Sequence, residues 1–517
     1  MDNSASREPR PCRKNTAGSG HGSTGESARS GPRIGCAMLR GDGPGRRGIV
    51  GVLNERFAMR RLHLLAAGLA LVFAGCGGGA PDESAAPEGA GSLALVGAQL
   101  IDATGGAPVA DSVVVVRDGR IESAGPRGTT PVPDGAETLD LTGKTIMPGL
   151  VNLHVHYREG PEEIERQFRS QLHYGVTTAR STGSDTPERV AYLLGAAGRA
   201  DAPRTYTAGM GFSYPGGFNA AGRNAPTTEE EARALVRDQV ALGVHFIKMW
   251  VNEVAEPGLK IPPEIRAAII DEAVANGAIP VAHIDDEADG RQLVEAGLWD
   301  FLHSTVLTFG PGSGVPMDDP EPSAEFIRMC LDNDVYFTPT LSIVQNRWHF
   351  AEHPELLDDP ELRAAFEMFN PDALAGWDDA ARRAEVLEAP GFEDRKAAFR
   401  QLLDFVKTMH DAGVSVAMGN DAGTPNVPFG WGMHHEMEMY VEAGLTPMDA
   451  IVAATATGAA QMPPVGEADF GTIEAGKVAD LMVLNADPLA DIGNTLDIDR
   501  VMRLGEWVDR SALPPAP

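Results

Sequence analysis

The stretch at residues 143–156, GKTIMPGLVNLHVH, decides how the chain folds. Its apolar residues predict a buried strand that ends in His154-Val155-His156. Residues two apart in a strand point to the same side, so both imidazoles can bind one cation. Two surface histidines would give the same spacing. The position at the end of a buried strand favours a metal site, because this is the catalytic edge of a parallel α/β barrel.

Further apolar segments follow, with helical segments between them. Eight βα units over residues 148–467 predict a (β/α)8 TIM barrel. Residues 343–400 are longer than one unit needs and predict helices over the barrel mouth. The predicted strands are 149–156, 175–181, 204–210, 245–251, 279–283, 301–304, 335–341 and 414–421.

Both ends of the mature chain have a different character from the middle. Residues 92–147 and 468–517 alternate apolar and polar side chains over short runs, as half-buried strands do. A barrel returns the chain to its start, so the two segments are expected to form one domain. The predicted fold class is therefore α/β, a TIM barrel with a small β-sandwich domain.

The N-terminal residues predict export. Residues 1–58 are rich in Ser, Gly and Arg, which predicts disorder or a segment upstream of a true start at Met59. Residues 59–75 join basic residues to a short apolar run, as a signal peptide does. They resemble a bacterial lipoprotein signal that ends in a lipidated Cys76, and an ordinary signal peptide cut near Cys76 is the alternative. Residues 76–91 then form a flexible tether, and the protein is expected in the periplasm or at the cell surface, with its lipid anchor as the only membrane contact.

Composition limits the partners. The chain has 43 Lys+Arg against 73 Asp+Glu, a net charge of −30, which argues against nucleic acid. Four cysteines are too few and too scattered for a disulfide framework or a thiolate zinc site. A small-molecule substrate is the expected partner, and the sequence leaves open whether the chain is a monomer or a homo-oligomer.

Other candidate metal ligands fall on the predicted strands. Lys248 lies in an apolar strand, where an amine is unfavourable unless it is paired or modified. Carbamylation by CO2 would make it an anionic oxygen ligand, and snorkelling at the strand end is the alternative. His283 and His303 end consecutive strands, although either one alone could be a buried structural histidine. Asp421 can bind a metal and accept a proton from water, although a helix N-cap would also use an aspartate.

These residues carry a resemblance to the amidohydrolase superfamily, closest to its imidazolonepropionase- and prolidase-like branch. The resemblance covers about residues 93–510. It rests on GKTIMPGLVNLHVH (143–156), GVTTAR (175–180), FIKMW (246–250), AHIDDEADGRQLVEAGLWDFLHS (282–304), GNDAG (419–423), AGLTPMDAIVAATATGAA (443–460) and GTIEAGKVADLMVLNADPL (471–489).

The resemblance implies a hydrolase with one or two divalent metal ions, usually zinc. It implies that His154, His156 and Asp421 bind one metal and that His283 and His303 bind the second. Lys248, as a CO2-derived carbamate, would bridge the two. Asp421 would also carry a proton from the bridging hydroxide to the leaving nitrogen.

The substrate contacts are less defined. The segment YPGGF (214–218) lacks a histidine that many relatives have there, and Asn420 stands where threonine is common. Arg223 is a candidate carboxylate anchor, and Tyr157 either contacts substrate or packs. The remaining histidine-rich positions are expected to be structural or helical rather than a third metal site: His173, His349, His353, His410 and His434-His435-Glu436.

The expected activity is hydrolysis of a C–N bond in an amide, a cyclic amide or a dipeptide by metal-activated hydroxide. The same fold acting on a lactone, a carbamate or a phosphotriester is the first alternative, because the same nucleophile can attack those centres. A non-catalytic binding lipoprotein is the second alternative. It is disfavoured because every ligand type is present.

Overall fold

In a computed structural model, the structure describes residues 91–252, 259–303, 316–318 and 320–511. The predictions for residues 1–90, which include the upstream segment, the signal peptide, Cys76 and nearly all of the tether, lie outside these residues. None of the helices within the described ranges combines the length and the apolar character needed to cross a bilayer.

The described strands fall into three groups along the chain. The first group is β1 (Ser92–Val96), β2 (Gln99–Leu100), β3 (Ser112–Arg117), β4 (Arg120–Pro126), β5 (Glu137–Asp140) and β6 (Thr145–Pro148). The second is β7 (Leu150–Val155), β8 (Val176–Ser181), β9 (Arg204–Thr207), β10 (Phe246–Val251), β11 (Ile279–Ile284), β12 (Asp300–Leu302), β13 (Tyr336–Thr338) and β14 (Ser415–Val416). The third is β15 (Leu481–Leu484), β16 (Ile498–Arg503) and β17 (Glu506–Trp507).

The first and third groups form two small sheets. One has the strand order β4-β3-β1-β5, and the other has the order β17-β16-β15-β6-β2 and so combines both ends of the chain. Side chains from both sheets meet in one apolar cluster that includes Leu95, Val114, Leu481 and Met502. The two ends of the chain therefore share a core.

The second group forms two parallel sheets, β7-β8-β9 and β10-β11-β12-β13-β14. Main-chain hydrogen bonds join the sheets at both edges. At one edge the Leu153 amide donates to the Met418 carbonyl (3.0 Å), and at the other the His245 amide donates to the Thr207 carbonyl (2.9 Å). Apolar side chains from strands of both sheets pack in a common cluster.

Each of the eight strands predicted for the middle of the chain overlaps one of these parallel strands. Several are shorter than predicted. β12 ends at Leu302 because the left-handed residue His303 (φ +70°) follows it directly, whereas β14 ends at Val416, well before Asp421 (φ +60°). A non-glycine residue in the left-handed region cannot continue a strand.

Helices separate the parallel strands and also form a long insert after β13. They are α1 (Pro161–His173), α2 (Pro187–Ala196), α3 (Glu229–Ala241), α4 (Pro263–Ala275), α5 (Glu287–Ala296), α6 (Ala324–Asp332), α7 (Ser342–Gln345), α8 (His349–Glu352), α9 (Pro360–Phe369), α10 (Pro371–Asp378), α11 (Ala380–Leu387), α12 (Phe392–Asp411), α13 (Trp431–Glu442), α14 (Pro447–Val452) and α15 (Gly458–Ala460).

The insert holds the loop that follows Asp421. The Asn346 side chain donates to the Asn426 carbonyl (2.9 Å), and the Asn370 side chain donates to the Pro425 carbonyl (2.9 Å). The Trp377 indole also donates to the Asn426 side chain (3.2 Å). Residues 343–400 are helical over most of their length, and they fix a loop at the carboxyl ends of the parallel strands.

Candidate metal centre

Parallel strands bring the predicted ligands to one edge of the molecule, because all their carboxyl ends point the same way. His154 and Lys248 lie within β7 and β10, and His283 lies near the end of β11. His156 and His303 come directly after β7 and β12. Asp421 follows the last parallel strand, β14.

His154, His156 and Asp421 form a tight group whose ligand atoms all lie within 4.8 Å of one another. The Asp421 Oδ1 atom is 3.4 Å from His154 Nε2 and 3.1 Å from His156 Nε2, and the two Nε2 atoms are 3.2 Å apart. Two imidazoles and a carboxylate that converge in this way fit a divalent cation such as Zn²⁺.

His283 and His303 lie beside this group and are less tightly gathered. Their ring centroids are 4.1 Å apart, and the His303 ring is 4.9 Å from the His154 ring. Asp285 Oδ1 lies 3.6 Å from His283 Nε2. The structure therefore brings both predicted histidine pairs together, and in the first pair both imidazoles lie close to the same carboxylate, Asp421.

Lys248 is fully buried, and its Nζ atom has no hydrogen-bond partner among the described residues. Burial holds the pKa of this amine well below its usual value, and Arg180 adds to that effect against the opposing charge of Asp421. An uncharged amine is the form that reacts with CO2, so the chemistry of Lys248 fits the predicted carbamate.

Three of the four histidines are held neutral, the form in which a histidine binds a metal. Burial is the main cause that lowers the pKa of His154, His283 and His303. Burial alone would raise the pKa of Asp421. The hydrogen bond and charge of His156 reverse this, so the pKa of Asp421 lies below its ordinary value and the group is a carboxylate.

Three polar contacts that the sequence did not reveal hold the tight group in place. The Asn152 side-chain amide donates to Asn420 Oδ1 (2.7 Å), and Asn152 Oδ1 accepts from the His154 amide (3.1 Å). Ser184 Oγ lies 3.0 Å from His156 Nδ1. A search for polar residues at the strand ends would have singled out Asn152 and Ser184. Their partners are visible only in the fold.

A cavity of about 420 Å³ opens beside the site. His156, His283, His303 and Asp421 line it, together with apolar side chains that include Trp250 and Phe218. The Phe218 ring lies 5.8 Å from the His283 ring, so it occupies the region where the sequence lacks the histidine of many relatives. Three cationic side chains also line the cavity: Arg158, Arg189 and Arg223.

The two predicted substrate contacts differ in their surroundings. The Tyr157 side chain is fully buried against Phe429, and its hydroxyl accepts a hydrogen bond from Gln171 (2.8 Å). The Arg223 guanidinium lies 5.0 Å from the centre of the Trp250 ring and donates to Ser184 Oγ (3.1 Å). Both residues line the cavity, but Tyr157 has a packed ring and a hydroxyl that is already hydrogen-bonded.

The histidine-rich helix α13 lies behind the site. His434 is buried between Thr495 Oγ1 (2.9 Å) and the Tyr174 carbonyl (2.8 Å). The His435 ring packs on the His349 ring at 4.1 Å. Glu436 is fully buried and accepts hydrogen bonds from main-chain amides, a role that the sequence did not suggest.

An α/β scaffold with histidines and an aspartate gathered at the carboxyl ends of parallel strands defines a class of metal-dependent hydrolases. The chain belongs to the amidohydrolase family, whose sequence model matches residues 145–508. The predicted superfamily and the predicted hydrolase class are thereby confirmed.

Known relatives agree with the family and with a TIM-barrel-like α/β fold. The chain is 27% identical to an imidazolonepropionase of Micrococcus luteus over 415 residues, which cover 74% of this chain and 89% of that protein. It resembles the crystal structure of a putative prolidase from Bifidobacterium longum with 27% identity and a TM-score of 0.61, over 82% and 95% of the two chains. A Xaa-Pro dipeptidase structure with bound methionine matches with 21% identity and a TM-score of 0.62, over 81% and 99%.

Proposed function

We propose that the chain is a metal-dependent amidohydrolase that hydrolyses the C–N bond of an amide, a cyclic amide or a dipeptide. The observation that carries this proposal is the buried group of His154, His156 and Asp421 within 4.8 Å. We propose that the parallel strands form a closed (β/α)8 barrel, because both edges of the two sheets are hydrogen-bonded to each other. The two small sheets would form the β-sandwich domain, as their shared core suggests.

The proposed site holds one or two zinc ions. His154, His156 and Asp421 would bind the first ion, and His283 and His303 would bind the second. Lys248, as a carbamate, would contact both. The buried, uncharged amine of Lys248 and the neutral state of His283 and His303 support this assignment.

The metal supplies two effects when bound, since it lowers the pKa of water towards neutrality and polarises a carbonyl oxygen. Asp421 is a carboxylate, so it can accept the proton of the attacking water and pass it to the leaving nitrogen. Burial of most of the ligands strengthens these charge interactions.

The cavity favours a substrate with a carboxylate. Arg223 lines it and is held by Ser184 and Trp250, and within the described part of the chain its guanidinium forms no ion pair with a carboxylate. Guanidinium groups bind carboxylates well because two N–H donors match two oxygens. Similarity to proteins named imidazolonepropionase and prolidase supports small C–N substrates of this kind.

The test combines metal analysis with a matched substrate panel. The purified chain should contain one or two zinc-like ions and hydrolyse amides or dipeptides faster than esters of the same shape. Asp421→Asn should lose turnover and keep its fold by circular dichroism, whereas the exposed control Asp238→Asn should not change. Preference for a lactone, carbamate or phosphotriester would replace the C–N assignment. No metal after incubation with zinc and bicarbonate would favour a binding protein instead.

We also propose that the protein is exported and anchored through a lipid on Cys76. The basic residues and the apolar run of residues 59–75 that precede Cys76 support this proposal. The wild-type chain should partition into detergent and carry an acyl mass on Cys76, and Cys76→Ala should not. An unmodified Cys76 in the mature chain would contradict the anchor but leave the hydrolase untouched.

A further inference from the structure

We infer that Glu436 is a positioning residue for His303, which it reaches through the turn at Thr340. The inference rests on the proposed role of His303 in metal binding. Glu436 lies in α13, after the last parallel strand, and His303 follows β12, so the contact joins distant parts of the chain.

The Glu436 carboxylate is bound entirely by one turn. Its Oε1 atom accepts from the Leu341 amide (2.6 Å), and its Oε2 atom accepts from the Ser342 amide (2.8 Å) and the Ser342 hydroxyl (2.6 Å). The carboxyl group is fully buried, and within the described residues its hydrogen bonds come from this turn. Burial raises the pKa of Glu436 to about 7, and the hydrogen bonds from Ser342 and Leu341 oppose that rise.

The same turn supplies a hydrogen-bond partner of His303. Thr340 Oγ1 lies 2.5 Å from His303 Nδ1 and donates its own proton to the Pro339 carbonyl (2.7 Å). Because the hydroxyl has only one proton, it acts as an acceptor towards Nδ1. His303 Nδ1 therefore carries the hydrogen, and Nε2 carries the lone pair that a metal needs.

The turn must be held by other residues, because the backbone conformation of Thr340 is energetically unfavourable. Thr340 has φ +52°, a left-handed conformation that a β-branched residue seldom adopts, and His303 has φ +70°. Such a conformation persists only when the surroundings hold it. Glu436 binds the two amides that come directly after Thr340, so it holds the hydroxyl against His303.

The experiment compares the full chain with Glu436→Gln, Thr340→Val and the double variant. Glutamine keeps the size of Glu436, but its NH2 group cannot accept the hydrogen bond of a main-chain amide, so one of the contacts to the turn is lost. Valine keeps the shape of Thr340 and removes the hydroxyl. Glu438→Gln is the matched control, since Glu438 is on the same helix and contacts His435 instead (3.1 Å).

Two measurements are made. The first is zinc affinity by competition with a chelator, for which each single variant should lose about 10–100-fold and the double variant no more than the worse single. The second uses the metal-free chain and follows hydrogen exchange of the Leu341 and Ser342 amides, which should be faster in Glu436→Gln and unchanged in Glu438→Gln.

The outcomes separate the two proposals. If Glu436→Gln lowers the melting temperature but leaves zinc affinity unchanged, or if the two single effects add, Glu436 is only a structural residue and the inference is wrong.

If the wild-type chain binds no zinc, the proposed function fails. The exchange measurement then still decides whether Glu436 holds the turn, and unchanged exchange would overturn that as well. If Glu436→Gln does not fold, Thr340→Val still tests the link, and unchanged zinc affinity in that variant would overturn it.

Discussion

The two halves of the candidate metal centre are built differently. His154, His156 and Asp421 lie within 4.8 Å of one another, on segments whose main chains are hydrogen-bonded directly. His283 and His303 have ring centroids 4.1 Å apart, and a left-handed turn contacts His303 through Thr340. In the first half, main-chain hydrogen bonds join the segments that carry the ligands, whereas in the second half His303 depends on a strained turn.

This difference teaches that the two halves should differ in metal affinity. A site whose ligand segments are joined by main-chain hydrogen bonds needs little reorganisation, and an ordered ligand set binds more tightly for that reason. A site whose ligand is placed by a strained turn must have that turn held by other residues. We therefore expect one firmly held ion and one that exchanges readily.

The largest effects should come from removing one histidine of each half. His154→Ala should reduce turnover to background and lose the firmly held ion, because it leaves the tight group with only two ligands. His303→Ala should keep that ion and lose only the exchangeable one. Metal content and turnover measured on both variants check this. Equal metal loss in the two variants would erase the distinction between the halves.

Next in size is the removal of the amine proposed to join the halves. Lys248→Met places an apolar side chain at this position of β10 and removes the amine that would be carbamylated. Zinc affinity for the second ion should fall by at least the roughly 10–100-fold that loss of an outer partner causes. Wild-type protein prepared with ¹³C-bicarbonate should give a carbamate carbon signal that the variant lacks. A wild-type chain with full activity and no such signal would show that Lys248 acts unmodified.

The sequence contains the parallel strands and the ligand types, because both depend on local pattern. Apolar runs that end in His154, His283 or His303 are visible without a structure. The predicted strands are too long at two ends, because β12 stops before the left-handed His303 and β14 stops at Val416. Nothing local in the sequence announces either end. The hydrogen bond between Asn152 and Asn420 joins residues 268 positions apart, so only the folded structure reveals it.

Surroundings explain why some single residues could not be assigned from sequence. The alternatives for Tyr157, contact or packing, depend on Gln171 and Phe429, which come from a helix and a distant loop. Glu436 reads as part of an amphipathic helix, and its role depends on a turn 94 positions earlier. The family resemblance supplied the roles of the ligands, whereas the supporting contacts are particular to the folded chain.

A smaller effect should come from the substrate side of the first half, where Arg223 and His156 both contact Ser184. Arg223→Met should raise KM for a carboxylate-bearing substrate about tenfold or more, since a charged hydrogen bond contributes about 1.5–3 kcal/mol. kcat should change little. Arg158→Met is the control, because that side chain lines the same cavity but is exposed. Equal KM changes in both variants, or none for Arg223→Met, would remove the proposed anchor.

The smallest effect is that of low pH, which should weaken metal binding in both halves by protonating their histidines. Loss of metal in acid must be separated from weakening of the fold, and His434 permits this because it is buried outside the ligand set. Burial lowers the pKa of His434 to about 4, against 6.5 for an ordinary histidine. The unfolded chain therefore binds a proton that the folded chain refuses. The stability that goes with a neutral, buried His434 is therefore present above pH 6.5 and is lost as the pH falls towards 4.

Between pH 7 and pH 5 this single group should lower the free energy of unfolding by about 2 kcal/mol. His434→Gln removes that dependence, although the lost contacts to Thr495 and Tyr174 lower stability at every pH. Urea unfolding of metal-free protein at both pH values measures the difference, and metal release is followed separately. If the exchangeable ion leaves at the same pH in wild type and His434→Gln, its release reports the second half of the site, His283 and His303. If the two shift together, acid acts through the fold, and the contrast between the halves must rest on the neutral-pH variants alone.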